Sequence, residues 1–542
     1  MADTLPADLS KVDPADAWKP YTPSPAVPWN RKWVTHLYRR AAFGASPAEA
    51  EQAIKDGPAK TIERLMSGHP DAAELLEVFT DAGESLKEIA QFRAWWLWGM
   101  QESGHPLREK LALFWHNHFA TSNAKVLNAR LMFEQNVTIR KHALGRFRPF
   151  LLDMSKDTAM LVWLDSNQNR KGAPNENYAR EVMELFSLGV GHYTEKDIQE
   201  AARALTGWHH SGGWDYNPRV AADTLTFEYH PAEHDDGPKT IFGKTGNWGG
   251  EDVARLCCDN KWCAPFLTGK LYAYLVSETP PPEPLLAPLV EQFRNSDYDI
   301  AGLVKAMIGS RLFFSEHTYR KRVKWPVEYA LGAVRSVVPD RAPLGDLLDP
   351  LAKMGQVLFA PPNVKGWRTG TDWLNSATLL ARNNFAESVA MGNWARLSLS
   401  APRSKAAFAT AAKPTTPPPA PAVAIEYPAD PATAVVGGAA AYSVPLEGPE
   451  GKPILVLPPM DAPPVPGGPG QPQPPGVIGP ATNQAPTPDS KLDVIPLLFA
   501  TQPKTPAELV NRMAELLYGT NISPAAQAKI EKFLLTPGPS VP

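Results

Sequence analysis

Through most of this chain apolar residues return every three or four positions, the spacing of helices with one buried face. The span 165–208, DSNQNRKGAPNENYAREVMELFSLGVGHYTEKDIQEAARALTGW, shows it most fully. At about 100° per residue, Tyr178, Ala179, Val182, Met183, Leu185 and Phe186 share one broad face. Glu176, Arg180, Glu184 and Ser187 line the opposite face, with Glu181 towards its edge. A second helix follows, with Thr194 as N-cap, Glu195 in its first turn, Asp197 at N3 and Gly207 placed to end it. Upstream, Ser46-Pro47 opens a helix through Ala50 and Ile54, and the run LKEIAQFRAWWLWGMQESGHPLREKLALFWHNHFAT predicts two long helices broken near Gly104–Pro106. Strand-like runs are few, Thr224–Tyr229 and Lys239–Phe242 reading as small hairpin elements. The predicted fold class is therefore all-α with minor β.

Proline divides the chain. From about Lys413 to Ser490 the sequence is dominated by Pro, Ala and Gly, a composition that buries too little apolar area to offset ordering entropy. The sequence thus predicts an extended N-terminal arm over 1–28, a large single helical domain over 29–400, a largely disordered Pro/Ala/Gly-rich linker over 401–495 and a C-terminal helical hairpin over 496–542. In that hairpin Thr505 and Ser523 stand as N-caps, each followed by Pro at N1.

The net charge of −3 over 542 residues gives no electrostatic footprint for nucleic acid or an anionic membrane. No apolar run approaches the ~18 residues of a membrane helix. The first residues lack a basic stretch followed by an apolar one, so the reading is cytoplasmic. Cys257, Cys258 and Cys263 are three, with no nearby His or fourth Cys, and read as buried thiols and not as a zinc site.

Candidate chemistry begins in the 165–176 loop. Asp165, Asn167, Asn169 and Glu176 occupy positions 1, 3, 5 and 12 of a calcium-loop pattern, in which alternate oxygens point inward and the final Glu closes the site. Arg170 stands where that pattern has glycine, and Pro174 is also atypical. Two readings stay open: a site for calcium or a similar hard cation, or an Asx-rich loop that satisfies its own backbone. The helix after it also has two readings. Glu176, Arg180 and Glu184 form either a solvated charge ladder or the wall of a cleft suited to acid–base work, with Arg39 or Arg40 as the expected partners of the glutamates. His116 and His118, at i and i+2, project about 200° apart on a helix and do not share an ion; His118 falls on the stripe of Leu107, Leu111 and Phe114, facing the core. His234, Asp235 and Lys239 form a polar loop, and GPKTIFGKT has five residues between its glycines where a phosphate loop has four.

Several segments together resemble one bacterial family. HLYRRAAFGASPAE (from His36), LALFWHNHFAT, NENYAREVMELFSLGVGHYTEKDIQEAARALTGW, HDDGPKTIFGKTGNW and LFAPPNVKGWRTGTDWLNSATLLARNNF appear in order between about residues 30 and 395, and the chain is similar to the domain-of-unknown-function 1800 (DUF1800) family. The resemblance implies a large, mainly helical bacterial protein whose gene often neighbours one for a DUF1501 protein, a possible partner. Many relatives look exported, which pulls against the cytoplasmic reading. It brings no activity to transfer. Two functions follow from the residues. One is a binding or assembly module with a mobile Pro-rich arm. The alternative is an enzyme whose cleft is built from Arg39, Arg40, His118, Asp165, Glu176, Arg180, Glu181 and Glu184, cation-assisted if the loop holds an ion, acting on a polar glycan or peptide.

Overall fold

Local capping explains where many helices begin. In the computed structural model, which describes residues 4–212, 216, 225–337 and 347–390, Asn30 starts α1 (Arg31–Ala41) by accepting from the Trp33 amide. Ser46 and Glu49 form a reciprocal capping box at the head of α2 (Pro47–Ser67), which Gly57 kinks at φ +77°. The long aromatic run divides into α3 (Ile89–Glu102) and α4 (Pro106–His118) at Gly104, φ +72°, with the His105 ring capping the second helix. The linker read at 401–495 and the hairpin at 496–542 lie outside the described residues.

The core beneath these helices is aromatic. Trp96, Trp115, Phe119, Phe147 and Phe150 are fully buried, and each such ring removes enough surface from water for about 4–6 kcal/mol of transfer free energy before entropy is charged. Two indoles use their polar handle, Trp95 Nε1 donating to Phe79 O at 2.7 Å and Trp115 Nε1 to Ala143 O at 3.1 Å, whereas Trp96 Nε1 is buried with no hydrogen-bond partner among the described residues. Two carboxylates enter the core paired with cations. Glu109, fully buried, accepts from Arg140 at 2.8 Å, and Glu328 sits between Lys110 at 2.5 Å and Arg322 at 2.7 Å. Residues 4–28 carry two short helical turns and run beside the body: Trp18 Nε1 donates to Leu285 O, Tyr21 N to Gly309 O, and the Tyr21 ring stacks on Phe314.

The glutamate helix departs from the predicted geometry. α5 (Asn177–Glu181) continues as a π turn over Val182–Ser187, closed by Leu188 N donating to Met183 O. The inserted residue of a π turn rotates everything after it. Ser187, predicted on the polar face, is consequently buried and donates to Val182 O at 2.5 Å. Next comes α6 (Glu195–Ala204), opened by the Thr194–Asp197 capping box.

Strands are confined to two antiparallel pairs among the described residues. β2 (Phe227–Tyr229) pairs with β1 (Trp208–His210), and β3 (Lys239–Ile241) pairs with β4 (Lys244–Gly246). The fold is mainly helical, as predicted, but the sequence missed β1 and β4. Three-residue strands lie too close to the noise of a two-residue alternation to stand out. The β3–β4 hairpin leans on α6, whose Glu200 accepts from Thr240 N and whose Asp197 accepts from Phe242 N. The three cysteines are all buried and free.

Candidate functional site

The residues grouped from the sequence do not meet at one point. Glu176 takes the N-cap position of α5, and Arg180 donates both to it, at 3.3 Å, and to Glu195 of α6 at 2.9 and 2.8 Å. Glu184 accepts from the Tyr193 hydroxyl at 2.7 Å. Glu181 is half-buried, and burial followed by the neighbouring Glu184 raises its pKa. Arg180 thus ties two helices together from the outside, at a degree of exposure where such pairs give less than about 1 kcal/mol. The arginine that serves these glutamates lies on their own helix. Arg39 and Arg40, expected in that role, are held elsewhere, because α1 turns them towards residues 318–324.

The 165–176 loop is likewise engaged with the protein. Asp165 is left-handed at φ +55°, and its carboxylate accepts from Lys125 Nζ at 2.8 Å in place of the loop amides expected. Asn169 is buried, with Oδ1 accepting from Asn175 N and Nδ2 donating to Ala202 O, both at 2.9 Å. Asn167 is buried as well. With Glu176 turned to Arg180, the oxygens of Asp165, Asn169 and Glu176 are aimed at three separate partners.

His116 and His118 share α4 and face different neighbours. His116 packs among Trp96, Phe359 and Trp367; His118 meets Phe119 and Phe186 and its Nε2 lies 3.0 Å from Phe186 O. Burial brings His116 down to about 3 and His118 well below the ordinary histidine range, so both rings are neutral at pH 7. The polar loop beyond β2 is spoken for too: Asp235 pairs with Arg203 at 2.8 Å, which holds its carboxyl down to about 2, and His234 Nδ1 meets Thr206 O.

Charge does concentrate at another place. One helical face of α1 carries His36, Arg39 and Arg40, at i, i+3 and i+4. Opposite lies the irregular segment 320–325, which carries Arg320, left-handed at φ +60°, together with Arg322 and Lys324. These six side chains and Tyr319 line one concave pocket of about 270 Å³. Arg40 Nη2 donates to Thr318 O at 3.0 Å, and His36 Nε2 lies 3.1 Å from Phe313 O. Arg322 lies over the Tyr274 ring at 4.4 Å, and its Nε and Nη2 are buried with no hydrogen-bond partner among the described residues.

The carboxylates acting on Arg40 and Arg322 are Glu278 and Glu328. Glu328 also serves Lys110, and Glu278 accepts from the Val323 amide at 3.0 Å. Burial lowers Arg39 to about 10, burial and then Arg322 lower Arg40 to about 9, and burial and then Arg39 push Lys324 well below the lysine range, whereas at Arg322 burial is outweighed, chiefly by the Glu328 carboxylate, and the pKa is raised. Arginine stays charged at pH 7 under any such shift. What the shifts record first is the cost of burying positive charge in a partly dry pocket, with like charges nearby as the smaller contribution. A larger groove of about 770 Å³ lies beside residues 4–33 and 311–321, where Lys32 pairs with Glu316 and Arg311 with Asp16.

Of this pocket the sequence marks only Arg39 and Arg40, as partners of the α5 glutamates, whereas the fold turns both towards residues 318–324. The missed signal was the alternation in YRKRVKWP, three cations at every second position before the helix-opening Pro326.

The DUF1800 family, described as proteins of unknown function, matches residues 36–540 and so takes in every residue of this pocket. The chain belongs to that family. No curated protein and no solved structure matches it. Among the described residues no helix is long and apolar enough to cross a membrane.

Proposed function

We propose that this protein is a binding module for an anionic ligand, and that the pocket between α1 and residues 319–324 is where the anion sits. The observation that carries this reading is the convergence of Arg39, Arg40, Arg320, Arg322 and Lys324 on one cavity, where Arg322 Nε and Nη2 are buried with no hydrogen-bond partner among the described residues. Planar guanidinium groups suit bidentate capture of phosphate, sulfate or carboxylate, and a half-buried lysine adds a point charge. The volume suits a single anionic group or the charged end of a longer molecule. Such a ligand gains about 1.5–3 kcal/mol from each charge-assisted hydrogen bond it completes.

The test separates binding from folding. Lys324→Met removes a half-buried cation from among like charges, so it raises the melting temperature while weakening inorganic phosphate binding by about 10- to 100-fold, the range of one such bond. Arg320 is exposed, and Arg320→Ala is a second variant whose fold is not at stake. Calorimetric titration of the full chain with phosphate and with sulfate, against chloride at matched ionic strength, gives the affinities. Wild-type protein that binds neither anion, or a Lys324→Met variant that loses stability and keeps its affinity, overturns the reading.

A further inference from the structure

The register of the β1–β2 pair places Glu228 opposite His209. Cross-strand partners, and residues two apart on one strand, share a face. His209, Glu228 and His230, just past the end of β2, therefore project to one side. Gly207 makes the junction possible: at φ +82° its amide oxygen accepts from His230 N at 2.7 Å, and a Cβ there would lie 2.7 Å from His230 O. The chain then closes a turn over Pro231–Glu233, with Glu233 N donating to His230 O at 3.0 Å, and brings Glu233 back over the two rings.

The result is a compact set of ligand atoms. His209 Nε2 lies 2.6 Å from Glu233 Oε2, the His209 and His230 rings are 4.8 Å apart, and one ligand atom from each residue lies within 4.8 Å of the other two. Among the described residues no other trio of His, Cys, Asp and Glu comes together in this way. His209 is buried, and its ring also bonds to the backbone of Asn167. With Nε2 turned to Glu233, the nitrogen left for Asn167 is Nδ1, and a backbone partner on the far nitrogen is the brace that fixes the tautomer of a metal-bound imidazole. Glu233 Oε2 is buried against the ring. His230 and Glu233 keep side-chain exposures of 38% and 26%, so one side of the trio is open to solvent.

The 165–176 loop acquires a role in this arrangement. Asn167 holds the His209 ring, Lys171 N donates to Glu233 O at 2.7 Å, and Gly207 N donates to Asn169 O at 3.1 Å. The loop braces the trio from behind with its backbone.

We propose that His209, His230 and Glu233 form a binding site for a divalent transition-metal ion of the zinc class, held in place by the 165–176 loop. Two imidazoles and one carboxylate are the donors that zinc and its neighbours in the first transition row prefer, whereas calcium takes oxygen donors. Three protein ligands with an open side leave a coordination position for water or a ligand. The site shares no residue with the cationic pocket, so the two readings stand or fall separately.

The test uses the full chain, stripped with a chelator and titrated with Co²⁺, whose visible absorption reports coordination geometry, and then with Zn²⁺ in competition. One equivalent of Co²⁺ binds with d–d bands of a low-coordinate nitrogen and oxygen site, and Zn²⁺ displaces it. His230→Gln and Glu233→Gln, both at partly exposed positions, each weaken binding by more than tenfold, about the factor that loss of a mere supporting group removes. His142→Gln, at a histidine paired with Asp153 outside the trio, leaves binding unchanged. Absence of stoichiometric Co²⁺ binding, or binding that survives both His230→Gln and Glu233→Gln, overturns the proposal. Thermal protection by Ca²⁺ without any by Zn²⁺ overturns it equally.

Discussion

Glu328 is the carboxylate on which the buried charge of this protein turns, and replacing it with glutamine measures that dependence. It is 3% exposed and accepts from Arg322 Nη1 at 2.7 Å and from Trp325 N at 2.8 Å, with Lys110 Nζ 2.5 Å away. Burial alone would raise its pKa, but Arg322 and then Lys110 outweigh burial and hold the carboxyl down to about 2, against 4.5 for a free glutamate. Each pKa unit corresponds to about 1.4 kcal/mol, so the ionised form contributes about 3 kcal/mol to folding. Breaking a buried pair by removing one partner costs about 3–5 kcal/mol, because the remaining charges are left dry and unmatched. The two routes agree, and Glu328→Gln is expected to lower unfolding free energy at pH 7 by about 3 kcal/mol. The sign of the pH dependence follows from the depressed pKa. The contribution is complete above pH 4.5 and is lost as pH falls towards 2, so wild type and variant converge on acidification. Denaturant unfolding of both proteins across that pH window is the assay. A loss below about 1 kcal/mol at pH 7, or a difference that does not shrink with acid, refutes the account of Lys110, Glu328 and Arg322 as a buried, charged cluster.

Two further outcomes follow from single positions. Gly207→Ala puts a Cβ on a residue at φ +82° and 2.7 Å from His230 O, so it destabilises the fold by more than about 1 kcal/mol and separates His209 from His230, which thermal melting and loss of Co²⁺ affinity together detect. Asp165→Asn removes an ion pair to Lys125 whose side chains are 36% and 42% exposed, and denaturant unfolding should register less than about 1 kcal/mol.

Features written within a few residues were legible. The helix start at Ser46-Pro47, the Thr194–Asp197 capping box, the break at Gly104–Pro106 and the buried cysteines are legible, because a cap or a turn is made by hydrogen bonds between neighbours and leaves its mark in neighbouring letters. The family could be read for a similar reason, since its segments recur in order along the chain. The π turn that buries Ser187 was not legible, because one inserted residue changes the helical phase without changing the composition.

The two places where chemistry concentrates were decided by tertiary structure alone. His209 and His230 are 21 positions apart, joined by a strand register that three-residue strands do not advertise. Arg40 and Arg322 are separated by 282 positions. The sequence shows that both are basic, but only the packing of α1 against the segment before Pro326 makes them neighbours. The glutamates of α5 had the more suggestive letters, and they are ordinary surface partners of Arg180 and Tyr193. Side-chain type is a local property, whereas the field a side chain experiences depends on what the whole chain folds against it.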